Sequence, residues 1–373
     1  MANNVKILYL ANIRLPTEKA HGFQIAKMCE QFAVAGADVE LRAPRRRTPI
    51  TEDISSYYGV RRNFRVVYVD CMDFNRLLGY MGRPGFYLNN LAFVYAMRRV
   101  PVDRDAIIYT RDPFMVFWYG RKGYKTVYDA HNFPENHSGL FVRMVKCANK
   151  IVCNSPGTTA EFTKRGFKNV LTVHNGVDLS KFATAPDNGH SDTKLITYVG
   201  HLYPWKGIDT VMEAASLMKS DSSARFQIIG GTESDIAKYR GRAESESLSN
   251  ISFIGHKRQS EIPAFLMSSD ILLLPNVPIS KESESYTSPI KMFEYMASGV
   301  PIIASDMPSI RSVLTDDTAL FFKAGNAASL VSAIRFVLGN GVVASVKAGK
   351  ASEEARKYSW ESRAEKILKF ISE

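Results

Sequence analysis

TSPIKMFEYMASGVPIIAS, Thr287 to Ser305, passes from a helix start directly into a buried strand. Ser288 suits an N-cap, and Pro289 suits the first helical position, where its fixed φ helps and its missing N–H costs nothing. Met292, Phe293 and Met296 share one face, as in an amphipathic helix. Gly299 supplies a left-handed stop, and Pro301–Ala304 is a short apolar run. A helix that turns back at once into an apolar strand is half of a β-α-β crossover, the repeating unit of a parallel sheet covered on both faces.

Outward from this segment the alternation continues. Strands are expected at Leu195–Val199, Phe226–Ile229, Ile251–Ile254, Ile271–Leu274 and Leu320–Phe322, with helices near Ile208–Met218, Ile262–Met267 and Leu330–Leu338. Upstream, a second series of strands is expected at Lys6–Leu10, Val39–Ala43, Val66–Val69, Ala106–Thr110, Thr126–Asp129, Ile151–Cys153 and Val170–Val173. Its first helix, about Gly22 to Ala35, ends at Gly36. The polar stretch TAPDNGHSDT, Thr184 to Thr193, separates the two series and marks a domain boundary. The pattern predicts an α/β protein of two Rossmann-like, doubly wound domains, residues 1–183 and 194–358, with a closing helix in 359–373 that packs back on the N-terminal domain. Ligands of such sheets bind beyond the carboxyl ends of the strands, so the two domains are expected to face an interdomain cleft.

At 373 residues, with 45% apolar content, the chain exceeds what one core usually supports. No run approaches the roughly 20 apolar residues of a membrane span. Val5–Ile13 carries Lys6 and lacks a small-residue cleavage site, so it reads as a first strand rather than a signal peptide. Cys29, Cys71, Cys147 and Cys153 fall at no disulfide or zinc spacing, which predicts a reducing, cytoplasmic setting and no structural metal. The net charge of +11 is unevenly placed: residues 1–180 hold 26 Lys and Arg against 15 Asp and Glu, whereas the remainder balances at 22 of each. An anionic partner is expected for the first half.

Two segments carry chemistry. The helix start at Thr287–Ser288 offers free N–H groups and the positive end of the helix dipole to a phosphate, and Glu294, on the same helix, can accept from both hydroxyls of a ribose. In YVGHLYPWKGIDTVMEAA, Tyr198 to Ala215, Lys206 projects from a strand-to-helix loop, where an ammonium can neutralise a departing diphosphate. The plainer readings are a capped core helix with a solvated glutamate, and an ordinary surface lysine.

Gly200-His201 with Lys206-Gly207, FQIIGG (Phe226–Gly231), FIGHK (Phe253–Lys257), DILLLP (Asp270–Pro275) and FEYMASGVPIIAS (Phe293–Ser305) follow one another in the second half. YDAHN (Tyr128–Asn132), VCNSPGTTAEFTKRG (Val152–Gly166) and VHNGVDLSKF (Val173–Phe182) precede them. In order and spacing these segments resemble glycosyltransferase family 4, which has the GT-B fold, and the resemblance spans nearly the whole chain. It implies a retaining hexosyltransferase that moves a sugar from a UDP- or GDP-linked donor to a hydroxyl of a glycan, lipid-linked or small-molecule acceptor, with no cofactor and no metal. It implies that Lys206 binds the donor diphosphate, the Thr287–Ser288 backbone a phosphate and Glu294 the ribose diol. The loop Gly255–Lys257, including His256, would lie against the base, His131 would face the transferred sugar, and Gly22 would let the first loop approach the donor. His201 stands where the family usually has an arginine. Tyr286 stands where it has the first of two glutamates separated by seven residues, with Glu282 and Glu284 close by. Tyr286, His201 and Lys291 are counted on the donor side.

The family retains anomeric configuration, and in the favoured account the acceptor attacks on the leaving group's own face while a diphosphate oxygen takes its proton. Cations and a helix dipole then suffice without a carboxylate pair. Asp103-Arg104-Asp105 has the letters of a metal-binding Asp-x-Asp motif but precedes its strand, so it reads as a charged turn. His21, His137, His174 and His190 read as solvated or structural, and Arg111-Asp112 as an acceptor contact or an internal ion pair.

Between Arg42 and Arg99, Arg45-Arg46-Arg47, Arg61-Arg62, Arg65, Arg76, Arg83 and Arg98-Arg99 interleave with Tyr57, Tyr58, Phe64, Phe74, Tyr80, Phe86 and Tyr87. Arginines with amphipathic aromatics suit an anionic membrane surface, where each nearby cation adds ~1 kcal/mol. They predict peripheral docking on the inner face of a membrane, with a solvated face around a soluble acidic acceptor as the alternative. The rival functions are a nucleotide-sugar epimerase of the same fold and a basic nucleic-acid-binding protein. A neutral, phosphate-ready second half argues against the latter, and no nucleic acid is expected as a partner.

Overall fold

The computed structural model describes residues 5–74, 77, 82–134, 138–183 and 193–373. Arg76, Tyr80, His137, His190 and residues 184–192 of the boundary stretch lie outside the described residues. The chain divides into two compact units. The first is Met1–Asn154, Thr158–Val173 and Trp360–Glu373, and the second is Ser155–Gly157 and His174–Ser359.

In the first unit β1 (Lys6–Leu10), β2 (Asp38–Pro44), β3 (Arg65–Val69), β4 (Ile107–Thr110), β5 (Thr126–Ala130), β6 (Lys150–Cys153) and β7 (Val170–Thr172) form one sheet of order β3-β2-β1-β4-β5-β6-β7. Every pairing is parallel. Successive side chains point to opposite faces, and the sequence uses both. Leu8, Leu10 and Ile108 pack beneath Phe93, Met97, Met115 and Tyr119. Tyr9 and Tyr109 point the other way, and Phe32 of α1 (Ala20–Val34) meets Tyr109 edge-on at 5.3 Å. The remaining helices used below are α2 (Ile54–Tyr58), α3 (Arg83–Met97), α4 (Pro113–Arg121), α5 (Ser138–Val145) and α6 (Pro156–Lys164).

The second unit repeats the plan. β8 (Lys194–Val199), β9 (Ala224–Ile229), β10 (Ile251–Gly255), β11 (Ile271–Leu274), β12 (Ile302–Ser305) and β13 (Leu320–Phe322) are ordered β10-β9-β8-β11-β12-β13, again all parallel. One face packs on α7 (Ile208–Leu217), and the helices α8 (Glu233–Ser245) and α9 (Ile262–Met267) follow it in the chain. The other face packs on α10 (Ile290–Ser298) through Met292, Phe293 and Met296. The last helices are α11 (Pro308–Arg311), α12 (Ala327–Gly339), α13 (Gly341–Ala355) and α14 (Trp360–Ser372). No single described helix is long and apolar enough to cross a membrane.

Three boundaries differ from expectation. Residues 174–183 belong to the second unit, because Asn175 bonds to Ser288 and Val177 joins the core beneath α10. Helix α10 starts at Ile290 with Pro289 at its N-cap and no side-chain cap, since the Ser288 hydroxyl accepts the Asn175 N–H at 3.2 Å instead. Helix α1 starts at Ala20, so Gly22 lies in its first turn. The closing helix α14 sits on α1 within the first unit, where Trp360 meets Phe23 at 6.1 Å.

Part of the expected basic face is neutralised. Arg45 pairs with Asp70 and Arg62 with Asp53, each at 2.7 Å. Glu40 holds both Arg42 and Arg65, and Tyr58 is buried under α1.

Gly22 has a packing reason to be glycine. A Cβ there would stand 2.1 Å from the Tyr58 hydroxyl and 2.6 Å from Thr17 Cγ2, and that hydroxyl is already fixed by bonds to the Thr17 N–H and carbonyl, both 2.8 Å. Gly22→Ala is expected to lower stability by about 2 kcal/mol through overpacking, read as a lower urea midpoint with an unchanged slope.

Candidate active site

In a doubly wound sheet the strand order reverses at one place, and the loops leaving the two strands there go to opposite faces, which opens a crevice. In the second unit that place lies between β8 and β11. The two strands pair only through Ile271 with Ile196 and Leu272 with Thr197. Beyond that the Tyr295 hydroxyl, from α10, accepts the Val199 N–H at 2.9 Å. The loop after β8 then crosses close over the end of β11. Gly207 has φ +79°, and a Cβ on it would lie 1.7 Å from the Pro275 carbonyl oxygen, so only glycine fits.

This geometry brings two lysines together. Lys206, half-buried, lies with its Nζ 3.7 Å from the centre of the Trp205 ring. Burial pushes it down to about 7, opposed by the charge of Glu282. Lys291, on the first turn of α10, is 8% exposed. Its Nζ lies 4.1 Å from the Tyr198 ring centre and has no hydrogen-bond partner among the described residues. Burial, and then the Lys206 charge, push it well below the usual lysine range. Two lysine amines, one half-buried and one buried, share the site, and Lys291 has no carboxylate partner among the described residues. The side chains of Asn276, just after β11, and Ser305, at the end of β12, are likewise buried and unpartnered among the described residues. Buried polar groups are rarely left so, and a set of them at the carboxyl ends of neighbouring strands fits an anionic, hydrogen-bonding ligand.

Glu294, one turn beyond Lys291 on α10, is also 8% exposed. Its carboxylate accepts from the Gln259 amide, and burial raises it to about 7. A family model described as Glycosyl transferases group 1 matches residues 181–370, a span that includes all of these groups. The chain belongs to the group 1 glycosyl transferases.

A sequence relative and two solved structures are similar to this chain. A phosphatidyl-myo-inositol mannosyltransferase of Mycobacterium leprae is 27% identical over 205 residues, 53% of this chain and 52% of the relative, so the match spans about half of that protein's length. Sucrose-phosphate synthase from Thermosynechococcus elongatus superposes with a TM-score of 0.76 at 16% identity, covering 99% of this chain and 98% of its own. Anabaena HepE, solved in complex with UDP-glucose, does so with a TM-score of 0.72 at 15% identity, covering 98% and 99%.

The other residues that the sequence assigns to the donor side have the following settings. His201 stacks on Tyr203, ring centres 5.1 Å apart and 13° from parallel. His256 is exposed after β10. Lys257 lies 3.9 Å from Glu261 and 5.6 Å from the Phe265 ring centre. Tyr286 is buried, and its carbonyl accepts from the Ser155 hydroxyl at 2.9 Å. Glu282 and Glu284 project from the turn Glu282–Tyr286 and are exposed. Thr287 donates to the Ser283 carbonyl at 3.4 Å, and the Ser288 carbonyl accepts from the Asn175 amide. Gln259 and Asn276 were not singled out from the sequence, because an amide in a loop has no periodicity or motif to mark it.

The first unit of the glycosyl transferase holds a different cluster. Asp129, at the end of β5, is fully buried between Arg111 at 2.8 Å, His131 at 3.1 Å and Arg363 of α14 at 3.3 Å. Burial pushes its carboxyl up, but His131 and the two arginines together hold it well below the usual range. Burial and the Arg111 charge push His131 down to about 4, so its ring is neutral near pH 7. Its Nε2 faces Asp129 and its Nδ1 the Asn154 amide at 3.4 Å. Both ring nitrogens are thus engaged inside the first unit. Asp112 caps α4, donated to by Phe114 N at 2.8 Å, and accepts from Asn12 at 3.1 Å, so Arg111-Asp112 is internal structure. Asp103 holds Lys6 at 2.5 Å, consistent with a charged turn.

Lys291→Met keeps the volume and removes a buried amine that has no hydrogen-bond partner among the described residues. It is expected to raise stability by about 1–2 kcal/mol, measured by chemical denaturation of the ligand-free protein. A loss of stability would mean that a structural partner holds Lys291.

Proposed function

We propose that this chain is a retaining, metal-independent glycosyltransferase that takes a UDP- or GDP-sugar into the second unit and transfers the sugar to a hydroxyl of a glycan, lipid-linked or small-molecule acceptor assigned to the first. The observation that carries the reading is the buried Lys291 amine beside Lys206, with no carboxylate partner on Lys291 among the described residues, a pair that an anion would draw into the charged form. A dianionic diphosphate supplies the missing charge. Lys291 takes the place of the family's arginine, which here is a stacked His201. Glu294, held by Gln259, accepts from the ribose diol. HepE, a similar fold, binds UDP-glucose, and that supports the donor class. The epimerase and nucleic-acid readings find no support in the family match.

As the bond to the sugar stretches, negative charge gathers on the leaving diphosphate, and two preorganised cations in a dry site stabilise it more than they stabilise the intact donor. The acceptor hydroxyl attacks from the same face and hands its proton to a diphosphate oxygen. The enzyme then needs no side-chain base, in keeping with a His131 whose nitrogens are already engaged.

Two measurements test this. A UDP-sugar is a diphosphate diester and does not titrate near neutrality, so proton uptake on binding reports the protein. At about pH 8 Glu294 is already ionised while Lys206, with its value depressed to about 7, is mostly neutral, so binding is expected to take up one to two protons and to weaken by up to about tenfold per pH unit above 7 for each. Calorimetry in buffers of different ionisation enthalpy reads this directly, and zero uptake rules out the lysine pair. In a panel of UDP-, GDP- and ADP-sugars, Glu294→Ala is expected to weaken the preferred donor by about 10- to 100-fold, the loss of two charge-assisted hydrogen bonds. Undiminished binding would displace the ribose from Glu294.

A further inference from the structure

In the arginine run up to Arg65, four arginines face carboxylates, and a second basic surface of the first unit has a different character. Helices α3, α4 and α5 enclose an apolar groove of about 650 Å³. Leu91, Val94, Phe114, Trp118, Leu140 and Met144 line it, and Arg98 and Arg143 stand in its wall. Leu91 and Tyr95 are each 54% exposed and Leu140 is 53% exposed, so the groove opens to solvent through large apolar side chains. Surfaces of this kind on a single chain mark a site of interaction.

Among the described residues, the charged groups that line it, Arg98 and Arg143, are of one sign. No Asp or Glu occurs in α3, α4 or α5, nor in Arg98-Arg99, Lys122 or Lys146 that follow them. Arg98, Arg99, Arg121, Lys122, Arg143 and Lys146 have no ion-pair partner among the described residues. Several lie flat on the aromatic rim. Arg98 is 5.1 Å and Lys122 4.4 Å from the Trp118 ring centre, and Arg99 is 4.7 Å from that of Tyr95. A dry slot, aromatic side chains at its mouth and unpaired cations around it form the complement of an anionic amphiphile, with the chain inside and the phosphate among the arginines. A partner protein helix would require acids matched to these positions, whereas a leaflet of anionic lipid meets the cations of the rim without such matching.

We propose that this groove seats one acyl chain of an anionic phospholipid and so docks the first unit on an anionic bilayer. The site is independent of the donor reading, since all of its residues belong to the first unit.

The test is co-sedimentation of the full chain with vesicles of phosphatidylcholine, alone or mixed with phosphatidylglycerol. Selective recovery with the mixed vesicles is expected, and the double change Arg98→Gln with Arg143→Gln should lower apparent affinity about 25-fold, about fivefold for each cation. Val94→Phe fills the slot without touching charge, so it should remove the salt-resistant part of binding and leave the salt-sensitive part. Thermal unfolding and UDP-sugar binding of each variant show that the fold and the donor site are intact. Equal recovery with neutral and anionic vesicles overturns the proposal, as does full salt-resistant binding by Val94→Phe. Self-association abolished by Leu91→Asp, without vesicle binding, assigns the face to a second copy and also overturns it. UDP-sugar binding without vesicle binding sinks this inference alone and leaves the donor reading standing.

Discussion

A parallel sheet whose strand order reverses cannot close its own middle. The loops leaving β8 and β11 depart to opposite faces, and the two strands keep only two paired positions before they separate. Everything in the second unit's site follows from that separation. The Val199 N–H, left without a strand partner, is taken by Tyr295 of α10. Anchoring α10 there sets its first turn, and with it Lys291, over Tyr198 of β8. The loop that carries Lys206 is pinned against the end of β11 because Gly207 has no Cβ to collide with the Pro275 carbonyl. Two lysines far apart in sequence are thereby brought together by the contacts of the residues that flank them.

The two charge clusters of the molecule show the difference between a structural and a ligand-seeking arrangement. In the first unit one buried carboxylate, Asp129, lies among Arg111, Arg363 and a neutral His131. Each charge there has an opposite within hydrogen-bond range, and the cluster ties α14 to β5. In the second unit the Lys206 charge adds to burial in depressing Lys291, and only the exposed Glu282 acts on Lys206 from the acidic side. A protein gains no stability from burying such a pair. Strongly perturbed groups in a crevice at a topological switch point therefore point to binding.

What was legible in the sequence is what is local. The period of Met292, Phe293 and Met296, the stop at Gly299 and the apolar run after it identify α10 and β12, and the same reasoning repeated along the chain recovers both sheets. What was not legible depends on partners distant in the chain. Ser288 has the identity of an N-cap, but Asn175, more than a hundred residues earlier, claims its hydroxyl and carbonyl. The boundary near 183 was read from polar residues, yet Asn175 and Val177 had already joined the second unit's core. Lys291 reads as one more helix lysine until the sheet places Tyr198 beneath it and Lys206 beside it.

Net charge shows the same limit in its sharpest form. An excess of +11 on one half of a chain says that an anion is favoured there, but not where, because a count cannot separate paired from unpaired cations. The arginine-rich run through β2 and β3 drew attention by density, yet Glu40, Asp53 and Asp70 sit within reach of four of its arginines. A cation already facing a carboxylate gains little from a second anion, since the field it offers is mostly spent. Helices α3, α4 and α5 are less dense in arginine but contain no acid at all. Each of their cations keeps its full field beside a surface of large apolar groups. Absence of acids, rather than abundance of arginines, is what separates a basic face with unpaired charge from one whose charge is already met within the chain.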